Sequence, residues 1–419
     1  MIRHAHSFLF KNTGLRQTVL KNAFWLFSGQ TGGRAIRAII VIYAARVLGT
    51  AGFGIASYAL SLTAFFLIIA DMGISSLLTK HAAQNPDERE RYFATLFILK
   101  CLCIGASFAM ILIIGPFASN IPEAIVLLPL AGLVLVFDSL REFALAMVRA
   151  REKMEYEAAL SIITNVATVT LSLLFLAINK TPQALLTGYA VGSGFGLALA
   201  VWALRGYLKK TLTHFDATLV RPLAAQALPL AMTALLGGTM LTVDMLMLGY
   251  LRTATEVGLY AAVQKLIQIA YSLAGIAGIS LFATFSRLYA KDHPRFKELF
   301  NQAFRVMTYG SAAIAILGII FATPVLTLIY GTAYSGGATA FRLLAATFFL
   351  LAPTEIGIHA LLAAGRQKVF LYSAPIGALS NAALNALFIP YWGITGAALS
   401  TLITQIAVNA YLWKKIREL

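Results

Sequence analysis

Residues 45–59 read ARVLGTAGFGIASYA, and residues 248–262 read LGYLRTATEVGLYAA. Each stretch holds the end of one apolar run, a short polar turn and the start of the next run, with Gly54 set against Gly258 once a one-residue difference between the turns is allowed. The same pattern half a chain apart predicts two copies of one helical unit. A second pair agrees: VRAREKMEYEAA at 148–159 matches AAGRQKVFLYSA at 363–374, setting Arg151 against Arg366 and Lys153 against Lys368.

Outward from these turns, apolar runs alternate with charged or Pro/Gly-containing breaks along the whole chain. A helix needs about 20 apolar residues to cross the hydrocarbon layer. Twelve runs qualify, from 22–45 at one end to 394–413 at the other. The 419 residues are 59% hydrophobic and 12% charged, with a mean hydropathy of +0.79. Soluble domains are roughly half apolar and a quarter charged, so an ordinary cytosolic enzyme is excluded. The expected fold class is an all-α membrane protein of about 12 transmembrane helices in two parallel six-helix repeats.

Cytoplasmic loops collect Lys and Arg. With both termini cytoplasmic, 24 of the 33 Lys and Arg fall in inner loops, and only Arg46, Lys180, Arg252 and Arg342 fall in outer ones. Trp25 and Trp413 at inner ends, and Tyr330, Tyr391 and Trp392 at outer ends, fit interfacial anchoring. The net charge of +16 therefore reports orientation and attraction to anionic lipid, and nucleic acid is not an expected partner. The expected divisions are a basic interfacial segment at 1–19, an N-lobe at 20–208 with helices 1–6, a cytoplasmic linker at 209–221, and a C-lobe at 222–419 with helices 7–12. The connection from Arg287 to Arg305 alternates charged and apolar groups and is expected to lie on the membrane surface as a helix. Cys101 and Cys103 share one apolar run and read as inert packing thiols.

No Walker sequence, H-E-x-x-H or nucleophile elbow is present. Chemistry is therefore sought in ionisable groups inside the spans, where each is costly and faces a cavity or a partner. Gln30, Arg34 and Arg37 share one face of the first span, with Arg34 roughly 18 Å from its inner end. They are either a cationic stripe for an anionic substrate or the halves of internal ion pairs. Lys265, Gln268 and Ser272 share a face of the eighth span, where a lysine can also snorkel outward. In the fourth span Asp138, Arg141, Glu142 and Arg149 share a face, and gating competes with plain neutralisation. Asp244 in the seventh span, and Glu355 with His359 just after Pro353 in the tenth, are the best candidates for a coupling proton or Na⁺, against simple interhelical hydrogen bonds. Lys100 and Asp71 lie near the inner face, where they can snorkel or cap. Five intramembrane bases meet five acids, so a positive binding site requires the charges to be separated in space.

Lys21-Asn22 before Trp25-Leu26, ARVLGTAGFG at 45–54, Asp71-Met72-Gly73, and NAALNALFIPYWGITGAALST at 381–401 carry a family likeness. In this order and spacing the chain resembles the polysaccharide-transport branch of the multidrug/oligosaccharidyl-lipid/polysaccharide exporter superfamily, the O-antigen and exopolysaccharide repeat-unit flippases. The resemblance implies two lobes around a central cavity of alternating access. It implies a flippase, not an enzyme, that moves an undecaprenyl-pyrophosphate-linked oligosaccharide from the inner to the outer leaflet of the cytoplasmic membrane. Related lipid II flippases place an arginine upstream of an A-R-hydrophobic-hydrophobic-G turn. Arg34 stands at that position before Ala45-Arg46-Val47-Leu48-Gly49, so a substrate-phosphate role is implied for Arg34 alone.

The remaining expectations are no bound cofactor, coupling to H⁺, Na⁺ or the membrane potential, and as partners the lipid-linked oligosaccharide, membrane lipids, a polysaccharide polymerase and a chain-length regulator. Two alternatives stand beside this reading. One is a cation-coupled multidrug exporter on the same fold. The other is a membrane glycosyltransferase or polymerase, against which the short outer loops argue.

Overall fold

A backbone in hydrocarbon must satisfy its own N–H and C=O groups, and the apolar runs do so as helices. The computed structural model describes residues 15–208 and 214–419, and among them there is no strand. The helical run Leu15–Asp71 bends at Gly49 into α1 (15–48) and α2 (50–71). It is followed by α3 (Ile74–Gln84), α4 (Arg89–Ile114), α5 (Pro122–Val126), α6 (Leu128–Ala150), α7 (Met154–Ile178), α8 (Pro182–Leu208), α9 (Ala217–Leu251), α10 (Ala254–Lys291), α11 (His293–Ile320), α12 (Ala322–Tyr330) and α13 (Ala338–Ala363). The last run, Phe370–Ile416, bends at Gly393 into α14 (370–392) and α15 (394–416).

Among the described residues nine helical runs are long and apolar enough to cross a membrane, including the 48-residue Phe24–Asp71 and the 50-residue Gln367–Ile416. Those two are each long enough for two crossings, and the 23-residue α6, which carries Asp138, Arg141, Glu142 and Arg149 in an apolar run, is long enough for one more. The twelve expected crossings are thereby accounted for, and the chain is a multi-pass membrane protein. Residues 1–14 of the expected interfacial segment and 209–213 of the expected linker lie outside the described residues, and Leu15 onward already belongs to α1.

Both bends need glycine. Gly49 has φ +66° and Gly393 φ +53°, in the left-handed region that a side chain disfavours. The bend at Gly393 leaves carbonyls of α14 without helical donors. Arg252 meets them, donating from Nε and Nη2 to Ile389 O at 3.0 and 2.7 Å, and from Nη2 to Pro390 O at 2.8 Å.

The chain forms two compact units. The first comprises residues up to Leu48, Ala59–Phe117 and Pro122–Leu235, and the second Gly49–Tyr58, Ala118–Ile121 and Leu236–Leu419.

In the first unit α1 crosses α7 where Gly29 and Gly33 meet Ala158 and Asn165. A Cβ on Gly29 would stand 2.9 Å from Ala158 Cα, so small residues set the approach. Gly188, Gly192 and Gly196 of α8 lie in the same way on Ser172, Thr168 and Thr164 of α7. Phe93, Phe97 and Phe143 stack between α4 and α6, with Leu77, Leu78 and Met147 around them. The approach to α9 is clasped to α4: Arg91 Nε donates to Asp216 Oδ2 at 2.8 Å, and Asp216 N donates to Thr95 Oγ1 at 3.2 Å. The Thr218 hydroxyl, then Arg91 and the Thr218 N–H, hold the Asp216 carboxyl down to about 2.

In the second unit Phe285 of α10 and Phe296 of α11 meet edge to face at 5.6 Å, against Ile356 and Ala360 of α13. Trp413 of α15 donates from Nε1 to Thr354 Oγ1 at 2.7 Å. Gly54 and Gly258, matched in the sequence repeat, meet here. A side chain on Gly54 would run into the Ala254 carbonyl, and one on Gly258 into the Thr50 carbonyl.

One expectation is corrected. The segment Arg287–Arg305 is not a helix lying on the membrane surface. α10 runs unbroken through Lys291 for 38 residues, about 57 Å. After the single residue Asp292, whose side chain accepts from Arg295 N at 3.1 Å, α11 begins. The segment is the tip of a helical hairpin, and its apolar stripe of Tyr289, Phe296 and Phe300 packs on protein. Amphipathic spacing is the same whether the apolar face meets lipid or a neighbouring helix.

Candidate functional site

The first unit holds the stripe of α1. Gln30 and Arg34 are exposed and Arg37 is half-buried. Arg34 makes no ion pair or hydrogen bond among the described residues. Arg37 has one partner there, and it is neutral: its Nε donates to Asn165 Oδ1 of α7. Asn165 in turn donates from Nδ2 to Ser161 O at 2.7 Å.

The other intramembrane charges of this unit are matched. Lys100 is fully buried and pairs at 2.6 Å with Asp71, which also accepts from the Ser75 hydroxyl, so these two neither snorkel nor cap. Arg141 lies 3.2 Å from Asp138 on the next turn of α6. Arg149 pairs with Glu142 and stands 3.3 Å from Glu157. Near the start of α1, Lys21 pairs with Glu155 at 3.1 Å. Buried pairs of this kind add little net stability, but losing one partner strands a charge.

In the second unit the intramembrane acids Asp244 and Glu355 have no lysine or arginine partner among the described residues. Asp244 on α9 is 3% exposed. Its Oδ2 accepts from Tyr260 Oη at 2.6 Å and Thr401 Oγ1 at 2.8 Å, and its Oδ1 accepts from Asn385 Nδ2 at 2.6 Å. All three donors are neutral. Asn385 Nδ2 also reaches Asn381 Oδ1 at 3.2 Å, while Asn385 Oδ1 and the Thr404 hydroxyl are buried with no hydrogen-bond partner among the described residues. A cavity of about 60 Å³ adjoins Asp244, walled by Tyr260, Gln264, Gln268, Tyr271, Asn381 and Thr401, among others. That is room for a small cation or one or two waters.

Gln268 is thus brought to Asp244, whereas Lys265, one turn away, is exposed. Glu355 is half-buried on α13, and its carboxylate meets no lysine or arginine among the described residues. His359 Nδ1 contacts the Glu355 carbonyl at 2.9 Å, and the ring lies against Gly278 and edge-on to Phe282.

Sequence reading missed Asn165, Tyr260, Asn381, Asn385 and Thr401. The signal available was neutral polar residues inside apolar runs, clearest in Asn381 and Asn385, which share one helical face. Among the described residues no group of three His, Cys, Asp or Glu side chains could hold a metal ion.

The model of the family described as polysaccharide biosynthesis protein matches residues 19–289, well over half of the chain. The chain belongs to that family. A second model, MatE, matches residues 229–387. A Shigella flexneri protein named as an O-antigen transporter is 23% identical over 409 residues, covering 93% of this chain and 95% of its own length. The succinoglycan biosynthesis transport protein ExoT of Rhizobium meliloti is 22% identical over 412 residues, covering 96% of this chain and 81% of its own. Among solved structures, the lipid II flippase MurJ in an inward closed conformation aligns with a TM-score of 0.75 at 16% identity, over 94% of this chain and 87% of its own. The fold is the two-repeat transporter fold that MurJ has, and the named relatives are transporters, not enzymes.

Proposed function

We propose that this chain moves a lipid-linked oligosaccharide repeat unit, carried on undecaprenyl pyrophosphate, from the inner to the outer leaflet of the cytoplasmic membrane by alternating access. The observation that carries the reading is the pairing of charges. Every other intramembrane base of the first unit has a carboxylate partner, while Arg34 and Arg37 have none among the described residues. An arginine inside the membrane costs at least about 2.5–3.5 kcal/mol on an insertion scale, so it is retained where it faces water or an anion. A pyrophosphate is such an anion, and guanidinium groups bind it through paired hydrogen bonds. Gln30 lies on the same face, and Lys265 and Gln268 are proposed as further substrate-binding residues.

Coupling is assigned to Asp244, with Glu355 and His359 as a second titratable pair and Asp138–Arg141 as a gating pair. A buried carboxylate beside a small polar cavity can take up H⁺ or Na⁺, either of which neutralises it. An inside-negative potential also favours outward movement of an anion by about 2.3 kcal/mol per charge per 100 mV. No bond is made or broken. Both termini are placed in the cytoplasm, and a polymerase and a chain-length regulator are the expected protein partners.

One observation favours a second reading. The MatE match covers the part of the second unit that holds Asp244, and a carboxylate without a basic partner suits a cationic drug. Deleting the gene separates the two. Lipid-linked repeat units should accumulate at the inner leaflet, and a wild-type copy, but not Arg34→Ala, should restore export. Unchanged export with new drug sensitivity would contradict the flippase reading.

A further inference from the structure

We infer that Asn165 is a positioning residue, holding Arg37 so that the Nη edge of its guanidinium faces the phosphoryl group of the cargo. The inference rests on the phosphate reading of Arg34 and Arg37 and adds a residue on another helix.

A guanidinium is planar, carries only donors and presents distinct edges. Nε of Arg37 is taken by Asn165 Oδ1, and neither Nη has a partner among the described residues. What remains is the end-on Nη1/Nη2 edge, which suits two oxygens of one phosphate. The amide orientation is fixed twice over. Arginine has no acceptor, so the oxygen of Asn165 must face it, and the nitrogen then donates to Ser161 O at 2.7 Å. With Asn165 only 9% exposed, the side chain has no room to swing.

Charge explains why the residue is an amide. An aspartate would bind the guanidinium more strongly but cancel the charge that attracts the cargo. Gly33, one turn before Arg37, completes the arrangement. A Cβ there would stand 2.5 Å from Asn165 Nδ2 and 3.3 Å from its Cγ, displacing the amide from beneath the arginine.

The test is a binding cycle on the full chain in lipid nanodiscs, with inorganic pyrophosphate and farnesyl pyrophosphate as probes. Asn165→Ala should weaken binding about tenfold in the wild-type background, the scale of one hydrogen bond to a charged group. In the Arg37→Ala background the same change should matter less than about twofold, because Asn165 acts only through Arg37. Asn165→Asp should lose binding at least tenfold while the protein melts no lower than wild type, which a purely structural hydrogen bond does not predict. Preference for the farnesyl probe assigns the recognised phosphate to a lipid headgroup, and equal binding of both probes assigns it to the anion alone. Positioning is supported in either arm. An equal effect of Asn165→Ala in both backgrounds, or wild-type binding by Asn165→Asp, overturns it. If Arg34→Ala and Arg37→Ala both bind like wild type, the phosphate reading itself fails, a distinct result.

Discussion

Arg34 and Arg37 differ from the other membrane-embedded bases of their unit in what they touch. Lys100 and Arg141 end on carboxylates, Arg37 ends on an amide and Arg34 on no described residue. Removing a charge therefore has opposite meanings at the two kinds of position. Lys100→Ala should strand Asp71 and destabilise the protein by about 3–5 kcal/mol, read as a lower melting temperature. Arg34→Ala should leave melting unchanged and abolish pyrophosphate binding. Asp244→Asn keeps the shape of the Tyr260, Asn385 and Thr401 cluster and removes its charge. Cation-dependent transport should stop while the variant still inserts and folds, which a transport assay paired with a melting curve would check. The stripe on α1 was legible in sequence because charges three and four residues apart in an apolar run declare a face. Asn165 was not, because its meaning depends on Arg37, 128 positions away in the chain.

Among elements, crossings and bends were legible because twenty apolar residues and a glycine between polar turns have few other solutions. The Arg287–Arg305 hairpin was misread, since periodicity does not name the partner of an apolar face. Two outcomes belong at this scale. The α7–α8 contact leaves no space at Gly192, so Gly192→Leu should cost about 1–3 kcal/mol, or prevent folding, by melting in detergent. The clasp on α4 is pH-sensitive with a defined sign. The folded Asp216 carboxyl is held at about 2 from an ordinary 3.8, so its stabilising contribution is complete above pH 3.8 and lost as the pH falls toward 2. Hydrogen exchange at residues 214–218 should quicken over that window in wild type, and already at neutral pH in Asp216→Asn.

At the scale of the whole molecule, the sequence holds equal numbers of intramembrane acids and bases, and no count could say whether they cancel locally. The structure shows that they do not all cancel: among the described residues Arg34 and Arg37 of the first unit have no carboxylate partner, and Asp244 and Glu355 of the second have no lysine or arginine partner. Under the proposed reading, Arg34 and Arg37 serve an anionic cargo and Asp244 serves a coupling cation. Reconstituting the purified chain in proteoliposomes with a fluorescent undecaprenyl-pyrophosphate oligosaccharide, and following access of a membrane-impermeant quencher, tests this directly. The account predicts transfer between leaflets by wild type, none by Arg34→Ala/Arg37→Ala, and loss of the ion-gradient response in Asp244→Asn. Equal transfer by wild type and the double arginine variant would contradict it.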